Sequence, residues 1–159
     1  EWIPWYIVYW WTDRYTVPLN EATTEWLLND TAHKKIILTD RAPAPIGPYS
    51  QAVGIGDLLF LSGQIPLDPK TGDLVDADIE TATGQVLENI RAVLEAEGLA
   101  FRHVVKTTVF MRDLALFPRM NSVYAKAFAE NPPARSTIQA AALPKGVSVE
   151  IDVVASRLA

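Results

Sequence analysis

Near the C-terminus two kinds of side chain alternate. Val147, Val149, Ile151 and Val153 fall on one parity and Ser148, Glu150 and Asp152 on the other, so a strand here gathers its polar groups on a single face. Upstream, Arg135, Thr137 and Gln139 repeat the alternation. If residues 135–141 and 147–156 close as a hairpin around Pro144 and Lys145, Gln139 faces Glu150 and Thr137 faces Asp152. Arg135, Thr137 and Gln139 then share Glu150's face. The plain reading of such alternation is a solvated polar face. A second hairpin, turning at Ile55-Gly56 or Gly56-Asp57, sets Tyr49 and Ser62 on one face as well, so polar groups recur at corresponding places.

These residues match the needs of hydrolysis at a small imino or enamino acid: a carboxylate anchor, a group that activates water, and donors for the polarised nitrogen. Arg135 suits the first, because its planar fork meets a carboxylate bidentately. Glu150 suits the second if partial burial lifts its pKa toward neutrality, where it takes a proton from water and returns it to departing ammonia. Tyr49, Ser62 and the backbone N–H of Gly63 suit the third. None of these assignments is specific by itself. Arg135 reads equally well as a salt-bridged surface residue, and Tyr49 as core.

The elements that must position them follow from periodicity. Residues 34–39 read as a strand, and residues 41–48 as an extended loop stiffened by Pro43, Pro45 and Pro48. Two apolar runs, 49–55 and 58–62, form the hairpin, and a turn-rich loop follows at 66–73. Asp78 can cap a helix whose apolar residues Ile79, Ala82, Val86, Ile90, Val93 and Leu94 recur every three to four positions until Gly98. Residues 104–111 are a β-branched strand, 120–128 a second amphipathic helix, and 135–141 with 147–156 the final hairpin. The class is α+β: one sheet, with both helices on one face.

The first 33 residues differ in kind. They hold Trp2, Trp5, Trp10, Trp11 and Trp26, all five tryptophans of the chain, and the acids Glu1, Asp13, Glu21, Glu25 and Asp30 against Arg14 alone. Residues 2–11 have strand composition but apolar side chains on both faces, and Asn20 can cap a short helix over 21–28. The abrupt seam, the lack of an initiator Met and the small linker at 31–33 point to an engineered or fused extension, set apart from a domain at 34–159. A natural N-terminal elaboration is the plainer alternative. The extension is expected to pack on the main domain or on a neighbouring copy, or to bind another protein, because bare apolar strands aggregate.

Charge narrows the function. A net charge of -5 argues against a grip on phosphate backbones, so no nucleic-acid partner is expected. The first apolar run breaks at Thr12-Asp13-Arg14, too early for a membrane span, and no basic n-region precedes it. Without cysteine there is no disulfide framework and no thiol chemistry, which fits a reducing cytoplasm. His33 and His103 lack metal-ligand spacing, so no metal is expected; Gly54 and Gly56 lack the third glycine of a nucleotide loop, and no cofactor is implied.

Six segments occur in the order of a known family: Ala-Pro-Ile-Gly-Pro-Tyr-Ser-Gln at 44–51, Leu-Ser-Gly-Gln-Ile-Pro at 61–66, Asn-Ile-Arg-Ala-Val-Leu-Glu-Ala-Glu-Gly at 89–98, Val-Lys-Thr-Thr-Val-Phe at 105–110, Pro-Ala-Arg-Ser-Thr at 133–137, and Val-Glu-Ile-Asp at 149–152. In these the chain resembles the reactive intermediate deaminase A (RidA, YjgF) family over residues 34–159. The resemblance implies a chorismate-mutase-like fold and a homotrimer whose sheets face an inner barrel, with clefts between subunits. It implies hydrolysis of 2-iminobutanoate and 2-iminopropanoate to 2-oxo acids and ammonia. On matching positions Arg135 would anchor the carboxylate and Glu150 activate water, while Tyr49, Ser62, Gly63 and Asn121 would line the cleft. Thr137 stands where many relatives carry Cys, which removes a thiol but keeps a hydroxyl for the carboxylate. Three other readings compete: a ligand-sensing or protein-binding trimer without turnover, a ribonuclease, which the acidic charge disfavours, and a trimeric scaffold presenting the N-terminal extension.

Overall fold

The computed structural model describes residues 33–159. The sheet-plus-helix addition expected ahead of residue 33 lies outside the described residues. The elements are β1 (Lys35–Ile37), β2 (Ala52–Ile55), β3 (Leu58–Gln64), α1 (Ile79–Glu95), β4 (Val104–Met111), α2 (Phe117–Ala127), β5 (Ala134–Gln139) and β6 (Val149–Ser156), the order expected from periodicity.

The strands form one sheet in the order β1-β2-β3-β6-β4-β5. Every pairing is antiparallel except β4 with β5, which is parallel. The expected final hairpin is therefore absent: β6 enters between β3 and β4, and β5 lies at the edge. Packing explains the choice. Val149, Ile151, Val153 and Ala155 are all buried, and only a central strand covered by helices can bury four consecutive apolar positions of one parity. β5 has a single large apolar residue, Ile138, and suits an edge. The segment from α2 then returns it parallel to β4, as a strand–helix–strand crossover requires.

Helix α1 begins where Asp78 Oδ1 accepts from Thr81 N at 2.8 Å. It buries the whole expected stripe of Ile79, Ala82, Val86, Ile90, Val93 and Leu94. Full burial of each large aliphatic side chain contributes about 1.5–3 kcal/mol. Helix α2 starts three residues before its expected position because Pro118 occupies the first turn, where its missing N–H costs nothing. Both helices cover the sheet face that carries the buried residues of β6. The opposite face is open, and Ile36, Phe60 and Ile138 are exposed upon it.

Two buried amides tie loops to this frame. Gln51 is 1% exposed; its Nε2 lies within 2.9–3.1 Å of the carbonyls of Thr39, Ala42 and Pro43, and its Oε1 accepts from Thr39 N. Asn89 donates from α1 to the carbonyls of Ile65 and Leu67. Tyr49, expected within a strand, therefore stands in the proline-rich loop ahead of β2, half exposed, its hydroxyl accepting from Ile46 N at 3.3 Å.

Candidate functional site

Arg135 lies on β5 in register with Thr107 of β4, which in turn pairs with Val153 of β6. Partners in register point the same way, so Arg135 projects toward the helices. Glu150 pairs with Phe110, and Phe110 with Ile138, which places Glu150 on the open face. The expectation that Arg135, Thr137 and Gln139 share Glu150's face is corrected accordingly: within one chain, Ser136 and Ile138 of β5 share it instead. The cause is the strand order, since pairing through β4 shifts the register by one residue from the supposed hairpin, and one residue reverses the face.

Arg135 is held from three sides. Its Nη1 donates to Asn121 Oδ1 at 2.8 Å, and its guanidinium lies 4.7 Å from the ring centre of Tyr124 and 5.3 Å from that of Phe117. The Tyr124 hydroxyl is fixed by Thr107 Oγ1 at 2.8 Å, and burial pushes that phenol up, so the platform stays neutral. Phe117, Asn121, Tyr124 and Phe128 follow one another at helical spacing along α2. Among the described residues no acid pairs with Arg135, whereas Arg41, Arg91, Arg119 and Arg157 each have a carboxylate at 2.6–2.9 Å. Arg135 borders a pocket of about 320 Å³ walled by Asn121, Tyr124, Ala125, Phe128, Pro132 and Pro133, within the range of small-ligand pockets. Thr137 follows two residues along the same face. Its Oγ1 is shielded from solvent and has no hydrogen-bond partner among the described residues.

The second group surrounds Gly63. Between Leu61, paired with Val153, and Gln64, paired with Ile151, β3 carries one residue more than β6, a β-bulge at Ser62 and Gly63. A β-carbon on Gly63 would stand 2.0 Å from Glu150 Oε1 and 2.9 Å from Asp152 Oδ1, so a side chain there would push the carboxyl groups from their present positions. Burial pushes the Glu150 carboxyl up and the Asp152 charge adds to the shift; burial raises Asp152 as well. Tyr49 and Gly63 line a common cleft with Pro43, Ala44, Ile46 and Gln51. Its volume of about 30 Å³ admits water but no substrate within one chain. The Ser62 hydroxyl donates to the Ser50 carbonyl at 2.7 Å and so ties β3 to the loop before β2.

One chain thus brings Arg135 together with Asn121, and Glu150 together with Asp152 at Gly63, but places Arg135 and Glu150 on opposite faces of the sheet. His103 is occupied in the short turn before β4, where its Nδ1 accepts from Ala100 N.

A family model described as Endoribonuclease L-PSP matches residues 39–157. Reactive Intermediate Deaminase A, chloroplastic, of Arabidopsis thaliana is 46% identical over 123 residues, covering 77% of this chain and 66% of that protein. The chain belongs to the RidA family. A RutC family protein of Pyrococcus horikoshii is 52% identical over 77% of this chain and 97% of its own length. The crystal structure of Escherichia coli TdcF with bound serine superposes with a TM-score of 0.75 at 45% identity, covering 78% of this chain and 99% of that one. The two helices and mixed sheet are therefore the α+β architecture of RidA proteins. Among the described residues no helix is long and apolar enough to cross a membrane.

Sequence reasoning passed over Tyr124 and Phe117 as functional groups. Their spacing with Asn121 on one helical face was the available signal, but aromatic residues at such spacing ordinarily mean core. Gln51 and Asn89 gave no signal, because the carbonyls they bind are set by loop geometry.

Proposed function

We propose that this RidA protein hydrolyses small 2-imino and 2-enamino acids, such as 2-iminobutanoate and 2-iminopropanoate, to 2-oxo acids and ammonia. The observation that carries the reading is Arg135: a guanidinium braced by Asn121, Tyr124 and Phe117, with donors remaining and no acid pairing with it among the described residues. Such a fork is prepared for a planar carboxylate. The substrate's carboxylate binds there with help from the Thr137 hydroxyl. Glu150 takes a proton from water as the oxygen bonds to the imine carbon and returns it to the nitrogen, giving the carbinolamine; it then carries the carbinolamine's hydroxyl proton to that nitrogen as the C–N bond breaks and C=O forms, so that ammonia and the 2-oxo acid leave.

Because the two sets face apart within one chain, the reading requires a homo-oligomer, a trimer with open faces turned inward, in which Arg135 of one subunit meets Glu150 of another. The exposed Ile36, Phe60 and Ile138 support burial of that face against further copies. A sensor reading is favoured only by the same separation: a subunit arrangement that keeps the two sets apart would bind 2-oxo acids without turnover.

The test couples the protein to a threonine dehydratase and measures ammonia release. Arg135→Ala should lower kcat/KM by roughly 100-fold or more, the loss expected for a charge-assisted bidentate anchor. Undiminished turnover in that variant overturns the assignment.

A further inference from the structure

Glu150 has a companion that the reaction as written does not use. Asp152 stands two residues on, on the same face of β6, and both carboxyl groups crowd the bare Cα of Gly63 at the bulge. A side chain at Gly63 would force them away; without one, β3 lets them converge. The neighbouring charged groups are otherwise engaged. Lys106 of β4 donates to Ser136 Oγ at 2.8 Å, and Arg112 to the Gly146 carbonyl at 2.5 Å. The Asp76 carboxylate, from the loop before α1, is bound by the backbone N–H and hydroxyl of Ser148. β3 contributes Ser62, Gly63 and Gln64, none of which titrates, and the Tyr49 hydroxyl, in the loop before β2, accepts from Ile46 N. Among the described residues no cation forms an ion pair with Glu150 or Asp152. Within one chain two acids are thus brought together in a half-buried place with no cation paired to either among the described residues, an arrangement more typical of chemistry than of scaffolding.

We propose that Asp152 is a positioning residue for the hydrolysis, acting through Glu150: packed beside it against Gly63, Asp152 opposes loss of Glu150's proton and so adjusts when that proton passes to the departing nitrogen. This rests on the deaminase reading above. Asp152 exchanges no atom with the substrate. The proton taken from water resides on Glu150 until it reaches nitrogen, and the neighbouring charge makes its residence more favourable. Burial and the Asp152 charge both raise the Glu150 carboxyl, in keeping with this role.

The experiment compares the wild type with Asp152→Asn and Asp152→Glu. In Asp152→Asn, an isostere that keeps the packing, the acidic limb of the kcat/KM profile against pH should move down by roughly one unit, the scale of one neighbouring charge. KM near the optimum should change less than twofold, because Arg135 is untouched, and Asp152→Glu should restore the wild-type limb. A uniform rate loss with an unmoved limb marks a merely structural role and overturns the proposal. Carbon-13 NMR titration of the Glu150 carboxyl gives a readout independent of turnover. An identical Glu150 midpoint in wild type and Asp152→Asn overturns the proposal even in an active enzyme. A lowered midpoint in a protein whose wild type releases no ammonia from imines overturns the deaminase reading instead, leaving the coupling of the two acids established.

Discussion

At Gly63 the missing β-carbon leaves the space into which two carboxyl groups reach. A methyl group there would overlap Glu150 Oε1 at 2.0 Å, and the acceptor most easily displaced is the Glu150 side chain itself. Gly63→Ala should therefore fold, lose about 1–3 kcal/mol of stability through overpacking, and lose rate far beyond that, with kcat falling while 2-oxo acid binding at Arg135 persists. Thermal unfolding and steady-state kinetics on one preparation separate the two effects; equal losses in kcat and in ligand affinity would count against a specific clash with Glu150. Parity made Glu150 and Asp152 legible as a shared face. Their contact with Gly63 was not, since it depends on a bulge that one extra residue in β3 creates and no residue type announces.

Among the elements, strand content read well and strand partnership read poorly. The alternation in β6 is driven by burial and so is visible in its residues, and the stripe on α1 likewise. Which strand lies beside β6 depends on the whole sheet: β5 follows α2 and pairs parallel with β4, leaving β6 to close the gap to β3. With β4 between β5 and β6, the register across them differs by one residue from that of a local hairpin, and that puts Arg135 and Glu150 on opposite faces. The proline-rich loop shows the same dependence. Its prolines indicate extension, but its course is fixed by Gln51, whose amide meets three backbone carbonyls and one N–H. Gln51→Leu would leave buried backbone groups unsatisfied, at about 1–3 kcal/mol for each group truly orphaned. The expected outcome is a lowered Tm together with faster amide hydrogen exchange over residues 39–51, and little change in the exchange of α2. Exchange that rises evenly through the domain would show Gln51 to be ordinary core.

For the whole molecule, the sheet places Arg135 and Glu150, the proposed anchor and proposed water activator, on opposite faces within one chain. An active site assembled from two subunits predicts complementation. Arg135→Ala and Glu150→Gln should each be inactive alone, yet subunits mixed after reversible dissociation should recover a fraction of wild-type activity, because some interfaces then join an intact Arg135 to an intact Glu150. Failure to recover any rate in mixtures shown by native mass spectrometry to contain both subunits would place both residues of a working site in one chain, against the face assignment. The resemblance in sequence pointed to such clefts between subunits, while the residues alone suggested one continuous polar face.

The sheet's two margins carry a separate consequence. β1 presents only three residues, and β5 enters through Pro132 and Pro133 and bears Arg135. Short length, prolines and charge make both margins poor templates for the backbone of another strand. Fibre growth by strand addition is thereby discouraged in a domain whose open face still exposes Ile36, Phe60 and Ile138.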